Sequence, residues 1–123
     1  TENNRARNLD KAQEMALKNF AYEHDRNTTV SQFISFGTSH RPDAVLELDD
    51  MRIGIEIKKG QNGSAIRSGL GQCVLYSAEY DFVIYLFVDQ TPGLNIKSSM
   101  HGDKEQDIVN RLWKDNNVRF VVV

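Results

Sequence analysis

Arg41-Pro42-Asp43-Ala44-Val45-Leu46-Glu47-Leu48, then Asp49-Asp50, then Met51-Arg52-Ile53-Gly54-Ile55-Glu56-Ile57-Lys58-Lys59 is the stretch that decides how this chain folds. Both halves alternate in the manner of strands, and the paired aspartates between them make a turn. Successive side chains on a strand point to opposite faces. Ile53, Ile55 and Ile57 therefore enter a core together, and Glu56 and Lys58 share the other, polar face. Asp43 opens the first strand directly after a proline. Two acids and a lysine from neighbouring strands can hold a divalent cation against a phosphate. The competing reading is a solvated strand face with an exposed ion pair, which leaves Asp43 after Pro42 unexplained.

Downstream, Gly60-Gln61-Asn62-Gly63 reads as a turn, with Ser64 as N-cap of a helix running to about Tyr80. Ile66, Leu70, Cys73 and Ser77 form its stripe. Phe82 to Val88 is continuously apolar, as in a strand buried on both faces and reached by a helical crossover. Thr91 to Gly102 reads as a long polar loop. Asp103 and Gln106 look like the N-cap and N3 of a third helix, whose inward face is Ile108, Val109, Leu112 and Trp113. Asn116-Asn117 stops it, and Val118 to Val123 is a last strand. Upstream, residues 1–8 form a polar arm with no signal-peptide pattern. Asn8 to about His24 has helical spacing at Leu9, Ala12, Ala16 and Phe20. Thr28 to Phe36 reads as a strand and Gly37 to Pro42 as a loop, so the first three strands suggest an antiparallel meander. The expected order is α-β-β-β-α-β-α-β, an α/β fold with a mixed central sheet.

At 123 residues, one domain spanning 1–123 is expected. No apolar run approaches the ~20 residues that cross a bilayer, so no membrane partner is expected. The net charge of −2 argues against coating nucleic acid by charge alone. Its distribution is more informative. Residues 57–78 hold no acid but include Lys58, Lys59 and Arg67, and residues 90–102 hold none but include Lys97 and His101. These stretches are expected to form a positive rim around the acids. Cys73 is the only cysteine, which excludes an intrachain disulfide and a four-cysteine cluster. It reads as a small buried hydrophobe, and an intracellular location is expected.

The strand pair with Pro42-Asp43 and Glu56-Ile57-Lys58, followed by helix and buried strand, resembles the PD-(D/E)XK nuclease superfamily. The likeness covers roughly Leu9 to Val88, an αβββαβ restriction-endonuclease-like core, with the last helix and strand as an addition. Gln72-Cys73-Val74-Leu75-Tyr76 is similar to the Gln-x-x-x-Tyr motif of its RecB-type and lambda-exonuclease-like branches. Gln72 and Tyr76 lie one turn apart on one helix face, shared with Gly69. Glycines inside a helix suggest close approach of another backbone or of a substrate. The resemblance implies a hydrolase that cleaves phosphodiester bonds, DNA ahead of RNA, with Mg²⁺ or Mn²⁺. Asp43, Glu56 and the Ile57 backbone carbonyl would be the metal ligands, and Lys58 would orient water and offset charge developing on phosphate. Gln72 and Tyr76 would border the scissile phosphate.

The superfamily often adds an acid from the first helix. Glu14 matches that position, although Glu23 lies nearer the apolar stripe. Glu47 shares strand parity with Asp43. His40 precedes Arg41-Pro42-Asp43 and is a candidate substrate neighbour, whereas His24, His40 and His101 lack ligand spacing. Trp113, Tyr80 and Tyr85 read as core or core-edge residues. The alternative function is a catalytically silent nuclease-like fold that binds nucleic acid or protein. The size also suits a homodimer paired through sheet edges, or one part of a larger DNA-processing enzyme.

Overall fold

The isoleucine alternation makes Met51–Gly60 a ten-residue strand, β4. The structure is a computed structural model describing residues 2–19 and 32–123. Within them run α1 (Glu2–Asn19), β1 (Phe33–Ser35), β2 (Thr38–His40), β3 (Ala44–Leu48), β4, α2 (Gly63–Tyr76), β5 (Phe82–Asp89), α3 (Asn95–Ser99), α4 (Asp103–Asn116) and β6 (Val118–Val122). Four strands form one sheet in the order β3-β4-β5-β6. β3 is antiparallel to β4, and β4, β5 and β6 run parallel. The fold is thus α/β with a mixed sheet. No helix among the described residues is long and apolar enough to cross a membrane.

Asp49 and Asp50 close the β3–β4 hairpin with φ of 48° and 65°, the left-handed pair that a two-residue turn requires and that aspartate tolerates. The sheet then has two buried faces. Ile53, Ile55, Ile57, Phe82, Ile84 and Leu86 pack against Leu9, Ala12 and Ala16 of α1. On the other side, Val83, Tyr85 and Phe87 pack with Cys73 and Tyr76 of α2. β5 is therefore buried on both faces, as its unbroken apolar run implies.

Several expected boundaries move. Residues 2–8 are helical rather than a loose polar arm. Arg5 holds that turn in place: it donates to the Asn117 side chain and lies 4.4 Å from the Trp113 ring centroid. The expected helical residues 20–24 and strand residues 28–31 lie outside the described part of the chain. What is described of the first strand pairs only with β2, as a separate hairpin. Phe36 and Gly37 both have positive φ, 52° and 70°, so the chain turns back at once and no three-strand meander forms. The N-cap of α2 is Asn62, not Ser64, and its side chain accepts from Ala65 N at 3.1 Å. That helix ends at Tyr76, where the Ser77 hydroxyl donates to the Val74 carbonyl, and Tyr80 instead packs over Gly54.

Residues 91–102 are not a plain loop. The Asp89 carboxylate accepts from the Thr91 N–H and hydroxyl and from the Lys97 N–H, which folds Pro92–Leu94 and α3 onto the end of β5. Gly102 rather than Asp103 caps α4, and Gln106 reaches back to the Met100 carbonyl. The stop at Asn116-Asn117 matches: Asn117 takes φ 56° as a left-handed C-cap.

Candidate active site

Asp43 lies just before β3, and its N–H donates to the Ile55 carbonyl at 2.9 Å. The register pairs Ala44 with Ile55, so Asp43 falls opposite Glu56 on the neighbouring strand. The Asp43 carboxylate also accepts the Ile57 N–H at 2.7 Å. A residue's N–H and C=O leave a strand on the same side, so the Ile57 carbonyl also faces the Asp43 edge of β4. Lys58 Nζ lies 3.7 Å from Glu56 Oε2. The strands thus gather Asp43, Glu56, Ile57 and Lys58 at one place.

Glu56 departs from the sequence reading in one respect. Its face of the sheet is not solvated, because α2 covers it, and the residue is only 4% exposed. Burial, and then the charge of Asp43, push its carboxyl up to about 8, with a side-chain hydrogen bond to Asp43 adding to the rise and Lys58 opposing it. At neutral pH Glu56 holds a proton beside Asp43.

This has a measurable consequence. The folded protein keeps the Glu56 proton to about pH 8, whereas the unfolded chain loses it near the ordinary value of 4.5. The stability contributed is complete below pH 4.5 and is lost as pH rises through 8. Cys73, Tyr76 and Tyr85 face Glu56, and burial keeps their thiol and hydroxyls neutral through this window. Glu56→Gln is expected to remove this loss, on the order of a few kcal/mol. Urea denaturation at pH 5, 7 and 9 checks it, and parallel pH profiles for the two proteins would refute the assignment.

Tyr76 and Gln72 lie on α2. Tyr76 is buried, and its hydroxyl donates to the Arg41 carbonyl at 3.2 Å, pinning the segment that leads into Pro42-Asp43. Burial first, and then the charge of Glu56, push that hydroxyl above its ordinary value, so it acts as a neutral donor. Gln72 shares the sheet-facing side of α2 with buried Gly69, Cys73 and Tyr76. Its Oε1 is buried with no donor from the protein.

Gly69 has a different reason from the expected one. A Cβ there would sit 2.2 Å from the Tyr85 hydroxyl oxygen. That hydroxyl donates to the Ile66 carbonyl at 2.9 Å, so a core tyrosine, rather than substrate, requires the glycine. Gly69→Ala is expected to destabilise the fold by about 1–3 kcal/mol through overpacking. A urea midpoint unchanged from the parent would contradict this packing.

Other expected members do not assemble here. Glu14 is exposed on α1, the helix that covers the isoleucine face, opposite Glu56. The sheet separates it from the acid pair. Glu23 and His24 lie outside the described residues. Glu47 is exposed toward the far end of β3, paired with Arg52. His40 is taken up by its own hairpin: Nε2 lies 3.0 Å from the Ser35 carbonyl and 3.1 Å from the Thr38 hydroxyl. Lys97 and His101 line a separate cleft, so the second acid-free stretch does not rim the acids. Tyr80 and Tyr85 are core residues as expected. The sequence reading missed the ring of Phe33, which meets Tyr76 edge-on at 6.1 Å. No local pattern links the two.

The donor set suits a small hard cation. Two carboxylates and a backbone carbonyl are oxygen ligands, and Mg²⁺ characteristically takes one or two carboxylates and leaves other positions to water and phosphate. A scan against protein-family models and searches of curated proteins and of solved structures return no match to this chain.

Proposed function

We propose that this domain is a metal-dependent nuclease of the PD-(D/E)XK type, hydrolysing phosphodiester bonds, with DNA as the leading substrate. The observation that carries the reading is the Asp43–Glu56 pair on adjoining strands, with Lys58 3.7 Å from Glu56. A buried acid held beside a second, partly buried one is costly to the fold, and such pairs cluster at functional sites. The order of α1, β3, β4, α2 and β5 supports a restriction-endonuclease-like core, with α4 and β6 added. In that reading β1 and β2 form a side hairpin rather than a sheet strand.

Asp43, Glu56 and the Ile57 carbonyl would hold Mg²⁺ or Mn²⁺. The bound ion supplies Lewis acidity at a phosphate and activates water at neutral pH. Glu56 must release its proton to serve as a ligand. Lys58 offsets charge that grows on the phosphate as the bond breaks. Tyr76 holds the Asp43 segment at the correct height through Arg41. Gln72 offers its amide to a phosphate oxygen or a water.

Incubation of circular and linear DNA with Mg²⁺, Mn²⁺ or EDTA tests the proposal. Cutting of the circle, abolished by EDTA, identifies endonuclease action. Intact DNA in every metal arm would favour the rival, a silent fold that only binds. Gln72→Ala is expected to cost about 1–3 kcal/mol of substrate or transition-state binding while Mn²⁺ affinity changes far less. Steady-state kinetics beside a Mn²⁺ titration separate the two, and an equal loss in both would make Gln72 a structural residue only.

A further inference from the structure

A second place in the molecule carries chemistry that the acid pair does not use. α1, α3, α4 and β6 enclose a cleft of about 330 Å³. Its polar lining is Gln13, Lys97, His101, Gln106 and Arg119, with Phe120 among the apolar residues of its wall, and no carboxylate lines it. Arg119 is half-buried, and its Nε is fully buried with no hydrogen-bond acceptor. Its guanidinium lies 5.1 Å from the Trp113 ring centroid. Among the described residues it makes no ion pair. Burial holds it below its usual value, and the more distant charge of Asp10 pulls the other way.

A guanidinium nitrogen shut away from water without an acceptor is costly, and the planar fork matches phosphate or carboxylate oxygens. Lys97 adds positive charge and His101 a ring nitrogen at the exposed rim. We propose that this cleft is an anion site for a phosphate ester. The phosphate is held by Arg119, Lys97 and His101, and the organic part lies on Phe120 and its apolar neighbours. A free mononucleotide and one nucleotide of a bound strand share that chemistry.

The site is independent of the nuclease reading. The cleft runs along the outer edge of β6, with Arg119 on the α1 face and Phe120 on the α2 face, and β5 lies between that edge and Glu56 on β4.

Trp113 is the only tryptophan and touches Arg119, so its fluorescence reports occupancy. The titration uses adenosine, adenosine 5′-monophosphate and a short single-stranded oligonucleotide without terminal phosphates, all in EDTA, with calorimetry alongside. The monophosphate, the oligonucleotide or both should bind, and adenosine should not. Binding of the monophosphate identifies a free nucleotide as sufficient; binding of the oligonucleotide alone identifies the strand. Arg119→Gln should weaken the interaction about ten- to a hundredfold, and Lys97→Gln, at an exposed position that keeps the fold safe, severalfold. Asp43→Asn should leave it unchanged even where it abolishes cleavage. The proposal is overturned if neither phosphate probe binds, if adenosine binds as tightly, or if Lys97→Gln and Arg119→Gln both leave the affinity unaltered.

Discussion

Asp43→Asn is expected to lower metal-dependent DNA cleavage by about a thousandfold or more while the protein stays folded. The structure explains why asparagine is the better probe than alanine. Asp43 accepts the Ile57 N–H at 2.7 Å, and alanine would leave that backbone donor without its partner, at about 1–3 kcal/mol. Asparagine keeps an oxygen in place and removes the charge. It also removes the Coulombic push of Asp43 on Glu56, so Glu56 ionises more easily. Calorimetry with Mn²⁺ should show affinity falling about tenfold or more, as for loss of a hard charged ligand. Plasmid cleavage at parental rate, or unchanged Mn²⁺ affinity, would remove Asp43 from the site.

Lys58→Ala should separate chemistry from binding. Turnover should fall by about two to three orders of magnitude, the scale for losing a group that stabilises transition-state charge. Its effect on metal affinity has two opposed parts. Removing a cation relieves repulsion of Mn²⁺, yet Lys58 also lowers the pKa of Glu56, so its loss makes Glu56 harder to ionise. Above pH 9 the first part dominates and affinity should rise; near pH 6 the second offsets it. Measuring kcat and Mn²⁺ affinity at both pH values resolves them. Full turnover in Lys58→Ala would remove Lys58 from the mechanism.

The acid site was legible because it depends on a local rule. Period two along β4 is enough to put Glu56 and Lys58 on one face and the isoleucines on the other, and Pro42 marks where β3 begins. The depth of Glu56 was not legible, since it requires α2 to lie across that face. The reason for Gly69 was equally hidden, because Tyr85 is distant in sequence. Helicity of residues 2–8 rests on Arg5 reaching Trp113 and Asn117, contacts that helix propensity does not encode. Asn62 outcompeted Ser64 because capping depends on which residue holds extended backbone, as Asn62 does with φ −149° and ψ 169°. Lys97 and His101 stand in an acid-free stretch of sequence, but only the fold carries them to the β6 edge.

Ile57 sits where β4 outruns β3. Register places Ala44 opposite Ile55, so the Ile57 amide proton has a carboxylate, not a neighbouring strand, as its partner. Hydrogen bonds to a charged acceptor are shorter and more polarised than amide–amide ones. The proton resonance of this single backbone group is thereby tied to the electron density on Asp43. It is a built-in spectroscopic gauge within the central sheet, sensitive to whatever shares that carboxylate, and readable in an intact, unlabelled-ligand sample without any assay of turnover.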